Sequence, residues 1–131
     1  MIRKLYLFKF YILQNDFEAT ITSPPQSDPN NEYLAIDKFI TLKKDKITIK
    51  AGFSWDGASG ISIDTDPFIK SSLVHDALYH LIRQGLLPKT YRKWADDVMH
   101  EINIAGGMNK FRAWYTWLAV RLFGFMAVKE D

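Results

Sequence analysis

The chain has 131 residues, enough for one domain and too few for a second core. Its 47% hydrophobic and 24% charged content excludes disorder of the whole chain, and a net charge of +2 gives no sign of the basic stripe of a nucleic-acid binder. No cysteine is present, which excludes disulfide scaffolds, thiol catalysis and cysteine-held zinc or iron–sulfur centres.

Residues 5–13 (LYLFKFYIL) follow Arg3 and Lys4 but are interrupted by Lys9, and no small-x-small cleavage pattern follows. They are read as a first strand and not as an export signal. Ser23 to Asn31 (SPPQSDPNN) is a loop by its Pro and Asn content. Tyr33 to Leu42 and Lys46 to Trp55 flank Lys43-Lys44-Asp45, and Ile47, Ile49, Ala51 and Phe53 alternate with Thr48, Lys50, Gly52 and Ser54. A period of two around a polar turn predicts a β-hairpin. Its cluster of Lys43, Lys44, Lys46 and Lys50 is read as edge protection, so no nucleic-acid partner is expected.

Residues 56–67 (DGASGISIDTDP) form a small-residue acidic loop ending in the helix-start signal Asp66-Pro67. Three helices are predicted after it, over 69–84, 89–104 and 109–126, separated by Gly85, Pro88 and Gly106-Gly107. Residues 113–128 are the most membrane-like stretch. They are too short for a span and carry Arg121, so contact with a membrane surface is open and crossing is not expected. Strands first and helices after predict a single α+β domain: a small antiparallel sheet over 1–55, the loop at 56–67, and helices over 68–128 as a hairpin plus a third helix.

Helical periodicity then sorts the polar residues. In the first helix His75 and Tyr79 stack one turn apart at the edge of the apolar arc, Asp76 points sideways and His80 turns toward solvent. In the second helix Arg92, Asp96, His100 and Asn103 share a rim, while Asp97 and Glu101 fall away from it. The short connection makes the two helices antiparallel neighbours, so the rims meet. An imidazole with one nitrogen held by Asp96 has its other nitrogen available as a base. Asp76, with the Gly-rich loop, is placed to hold a hard cation. The plain alternative is that a His–Asp contact between helices fixes the hairpin and does no chemistry, and that Asp96 pairs with Arg92 at i,i+4.

The runs GFSWDGASG (Gly52 to Gly60), HDALY (His75 to Tyr79), RKWAD (Arg92 to Asp96) and RAWYTWLAVRLFG (Arg112 to Gly124) resemble, in order, the motifs of the family called domain of unknown function 1353. That resemblance implies a phage or prophage origin and no particular reaction. A second, local resemblance is to the active site of calcium-dependent secreted phospholipases. It implies His75 as base, Asp96 as the carboxylate that orients it and Tyr79 as its support. It further implies Asp76 as a calcium ligand. On the hydrolase expectation the divalent cation is shared with Asp56, and Arg92, Gly57 and Ser59 give substrate or structural support.

Two functions are therefore carried forward. One is a metal-assisted hydrolase acting on an ester or amide of a lipid or cell-envelope substrate. The other is a phage virion, tail or assembly component that binds phage structural proteins or a second copy of itself through its third helix. In that helix Phe111, Tyr115, Leu118 and Leu122 form one apolar stripe and Trp114, Trp117 and Phe125 another, with Trp117 and Arg121 spaced for a cation–π pair.

Overall fold

The computed structural model describes residues 10–25, 35–56 and 66–128, and for Phe10, Asp56, Asp66 and Pro67 the backbone alone. The loop residues Gly57 and Ser59, the Asp56 side chain, residues 5–9 and the loop tip at 26–31 lie outside what is described. Within it the architecture is α+β, as the order of patterns requires: antiparallel strands in the first half and three helices in the second.

There are two antiparallel sheets where the sequence led us to expect one. Strands β2 (Phe17–Thr20), β5 (Lys46–Ile49), β4 (Ile40–Lys43) and β3 (Ala35–Ile36) lie side by side in that order. Strands β1 (Phe10–Ile12) and β6 (Ser54–Asp56) form a separate pair. The predicted hairpin turn is present: Lys43 pairs with Lys46, and Lys44 takes φ 54°, as a two-residue hairpin turn demands.

The long strand predicted over 46–55 is broken at its middle. Gly52 adopts φ 98° and its N–H donates to the Leu13 carbonyl at 2.8 Å, while the Ala51 N–H donates to Asp16 Oδ1 at 2.9 Å. A left-handed residue followed by a new set of partners hands the chain from β5 to β6 and to the second sheet. Ala51 is consequently exposed, although the alternation places it inward, whereas Ile47, Ile49, Phe53 and Trp55 are buried as predicted. Strand β2 has no counterpart in the sequence reading, although its residues alternate in burial along their four positions.

Helix α1 (Asp66–Arg83) starts at the Asp-Pro signal, a turn earlier than its apolar pattern. A 3₁₀ turn at Lys89–Tyr91 leads into α2 (Arg92–Ala105). Asn109 caps α3 (Lys110–Phe123), accepting from the N–H groups of Phe111 at 2.9 Å and Arg112 at 3.2 Å, and a second 3₁₀ turn at Gly124–Met126 follows.

The main core lies between the four-stranded sheet and α1 and α2. Ile40, Leu42, Ile47 and Ile49 from the sheet meet Val74, Ala77, Leu78 and Leu81 of α1, all fully buried. Each large side chain removed from water here contributes roughly 1.5–3 kcal/mol. This packing fixes the rotation of α1, and so the direction in which its polar residues point. Helix α3 packs on α2 through small residues, with Ala113, Thr116 and Val120 buried. No described helix is long and apolar enough to cross a membrane.

Candidate functional site

The residues on the facing rims of α1 and α2 converge on one carboxylate. Asp96 Oδ1 lies 2.7 Å from His75 Nε2 and accepts from the Tyr79 hydroxyl at 2.5 Å. Asp96 Oδ2 accepts from Arg121 Nη1 at 2.8 Å and, at the longer distance of 3.4 Å, from Arg92 Nη1. The Asp96 side chain has no exposure, and three helices supply its partners: His75 and Tyr79 from α1, Arg92 from its own helix, Arg121 from α3.

The i,i+4 partner Arg92 therefore does a second job. Its guanidinium donates to the carbonyls of Val120 at 2.9 Å and Arg121 at 3.2 Å, capping the end of α3 and tying that helix to the site. Arg121 turns to the buried carboxylate, where the sequence spacing had it stacked on Trp117. A charge-assisted bond to a desolvated acid is stronger than a surface cation–π contact. Trp117 donates its indole N–H to Asp97 Oδ1 at 2.8 Å, so Asp97 also serves a structural bond on the far face.

His75 and Tyr79 are buried more deeply than a position at the edge of water implies, at 6% and 3% exposure. The cover is tertiary. Gly124, just after α3, sits so close to Tyr79 and Arg92 that a Cβ there would run into the Tyr79 hydroxyl. Glycine is needed at this position for close approach and not for an unusual φ.

The charges follow from these contacts. Burial pushes the His75 pKa down, but hydrogen bonds and the negative charges of Asp76 and Asp96 outweigh it, and the net shift is upward. Burial pushes Asp96 up, and its bonds to His75, Tyr79 and Arg121 reverse this, holding it below the usual carboxylate range. Burial and the Asp96 charge keep the Tyr79 phenol protonated, its pKa raised. Tyr79 thus stands beside the pair as a neutral donor to the Asp96 carboxylate.

The other imidazole nitrogen, Nδ1, faces Asp76 Oδ1 at 3.8 Å. Asp76 is partly exposed and lines a cleft of about 490 Å³ between α1 and the segment that enters β6, walled by Phe39, Phe53 and Trp55. Among the described residues no three His, Asp or Glu side chains gather in the manner of a metal cage. Asp76 is the one described member of the expected cation ligands, since the Asp56 side chain and the 57–60 loop are not described. The structure thus brings together His75, Asp96, Tyr79, Arg92 and Asp76.

Sequence reasoning missed three participants. Arg121 was assigned to another contact. Gly124 was visible only as part of a motif. His80, read as a solvent-side residue, bonds Asp37 Oδ2 through Nε2 at 3.2 Å and lines the cleft. Asp37 lies 43 positions away in a sheet loop, and no local pattern links the two.

No curated protein and no solved structure matches the chain. A family model described as a protein of unknown function, DUF1353, matches residues 37–120, which include the β4–β5 hairpin, α1, α2 and most of α3. The match spans more than half of the chain and takes in His75, Asp76, Tyr79, Arg92 and Asp96 together, so the protein belongs to the DUF1353 family.

Proposed function

We propose that this protein is a small hydrolase using a His–Asp pair, acting on an ester or amide of a lipid or cell-envelope substrate. The observation that carries the reading is the orientation of His75: Nε2 is held by a buried carboxylate, and Nδ1 is on the side of Asp76, which itself lines the cleft. In this reading a water gives a proton to Nδ1 as its oxygen attacks the substrate carbonyl. Asp96 stabilises the imidazolium that forms, and Tyr79 holds Asp96 in place. Collapse of the tetrahedral adduct breaks the bond to the leaving alcohol or amine, which takes the proton back from His75. When bound, a calcium-class cation would stabilise the developing oxyanion as a Lewis acid, with Asp76 as one hard oxygen ligand and Asp56 and the Gly-rich loop as the others.

The test is hydrolysis of short-chain esters and of phospholipid vesicles, with and without calcium. His75→Ala and Asp96→Asn should each lower turnover at least about 100-fold, the scale of a lost general base, in variants that circular dichroism shows to be folded. Wild-type protein inert on all of these substrates, or a folded His75→Ala variant as active as wild type, would sink the reading.

A second reading has its own observation. Helix α3 is inverted relative to an ordinary surface helix: its inner face is small, and Phe111, Trp114 and Leu122 face outward at 69%, 49% and 56% exposure. The acids Asp97 and Glu101 of α2 border Trp114 and Trp117, while the sequence from Lys110 to Val128 holds only basic charges. An outward apolar stripe of this kind suits a matching apolar surface, and the partner we assign is a second copy, as in a phage assembly component. Sedimentation equilibrium should show a dimer that Trp114→Glu converts to monomer with little change in melting temperature. A wild-type protein that stays monomeric at 100-fold above working concentration argues against it.

A further inference from the structure

The cleft beside the His–Asp pair contains a cation that the proposed chemistry does not use. Arg83, the last residue of α1, lines it, two turns beyond Asp76 on the same face of the helix. Seven residues at 1.5 Å rise separate the two by about 10 Å along the axis. The guanidinium is held by neutral acceptors: Nη1 donates to the Ala127 carbonyl at 3.0 Å, and Nη2 lies 3.3 Å from His80 Nδ1. Among the described residues no carboxylate pairs with it, although the cleft is partly open to solvent.

The neighbours of Arg83 fix its position. A guanidinium only donates, so His80 Nδ1 must accept, and its proton sits on Nε2, which donates to Asp37 Oδ2 at 3.2 Å. The His80 ring is braced edge-on by Phe53, with centroids 6.0 Å apart. A chain from Asp37 through His80 thus sets Arg83 at one end of the cleft, with most of its five N–H donors uncommitted. Between Arg83 and Asp76 the wall is aromatic, formed by Phe39, Phe53 and Trp55, with Phe53 and Trp55 stacked at 6.4 Å. A preset arginine facing a partly open cleft suits a planar or tetrahedral oxyanion taken in two-pronged fashion. A volume near 490 Å³ suits one small amphiphile.

We infer that the cleft binds an anionic amphiphile, its carboxylate or phosphate on Arg83 and its apolar body along Phe39, Phe53 and Trp55. This rests on the hydrolase reading only for the claim that the molecule is cleaved, at a bond about 10 Å from its anionic group; binding itself does not depend on turnover.

Calorimetric titration of the full chain with decanoate, decyl phosphate and neutral decyl maltoside, below their micellar concentrations, tests it. At least one anion should bind tenfold or more tightly than the neutral amphiphile, and which one binds separates a carboxylate ligand from a phosphate one. Arg83→Gln should weaken the anion at least tenfold and leave the neutral compound within twofold. Arg83→Lys should recover part of the loss, and Phe53→Ala should weaken both compounds. Binding is read here without turnover, so a failure of the catalytic reading leaves this result standing. Equal affinity for anion and neutral compound, or an Arg83→Gln variant unchanged toward the anion, would overturn the inference.

Discussion

A carboxylate with no exposure, facing an imidazole, a phenol and two guanidinium groups, is stable as an anion only while all of them stay in place. The pH dependence of stability follows from the two shifts. Asp96 is held below its ordinary value, so its contribution is complete above about pH 4 and is lost as pH falls through its lower folded value. His75 is raised, so its contribution is complete below 6.5 and is lost as pH rises through the higher folded value. In chelator-containing buffer the melting temperature should therefore be greatest at mildly acidic pH and decline on both sides. His75→Gln should flatten the alkaline limb, and an unchanged limb would show that the pair does not titrate as the contacts require. Asp96→Asn should destabilise by about 3 kcal/mol, because it leaves buried positive groups without their acceptor. Gly124→Ala is the sharpest steric test: its Cβ collides with the Tyr79 hydroxyl and Arg92, so a loss of about 1–3 kcal/mol is expected, with the site opened as well. Denaturant unfolding measures it, and an unaffected midpoint would mean that the turn after α3 yields freely. The pairing of His75 with Asp96 was legible from helical spacing alone, since residues of two antiparallel helices joined by a short loop have few ways to face each other. Arg121 and Gly124 were not, because both come from a helix whose docking no local pattern specifies.

At the scale of elements, α3 is the least conventional helix. Thr116 is fully buried and its hydroxyl has no hydrogen-bond partner among the described residues, and Asn103 of α2 is buried with both amide atoms in the same state. An unpaired hydroxyl in a core costs about 1–3 kcal/mol, so Thr116→Val, which keeps the shape, should raise stability by about 1 kcal/mol. A lower melting temperature for that variant would mean that the hydroxyl has a role the contacts do not disclose. The helices were legible because each carries two or more turns of apolar periodicity and a capping or stop residue. The strands were legible where alternation ran long, as in β4 and β5, or where aromatic and β-branched residues cluster, as around β1. Strand β2 is four residues long and went unread, and the break at Gly52 depends on Leu13 and Asp16, both more than 30 positions away. The apolar character of α3 was plain, but which of its faces would be covered was not, since both faces are apolar and only the fit of Ala113, Thr116 and Val120 against α2 chooses between them.

At the scale of the molecule, the sequence by itself determined the fold class, the order of elements, the rims on which His75, Tyr79 and Asp96 lie, and the family. Each of these rests on short-range rules: a period of two or of 3.6, turn chemistry, and motifs of fixed spacing. Only the tertiary structure decided the rest. It split the strands between two sheets, drew Arg121 into the site, set Gly124 against the Tyr79 phenol, turned the aromatic stripe outward, and tied His80 and Arg83, which line one cleft, to Asp37. These are contacts between residues far apart in the chain, chosen by how surfaces fit and which buried charges find partners, and a one-dimensional pattern does not encode that choice locally.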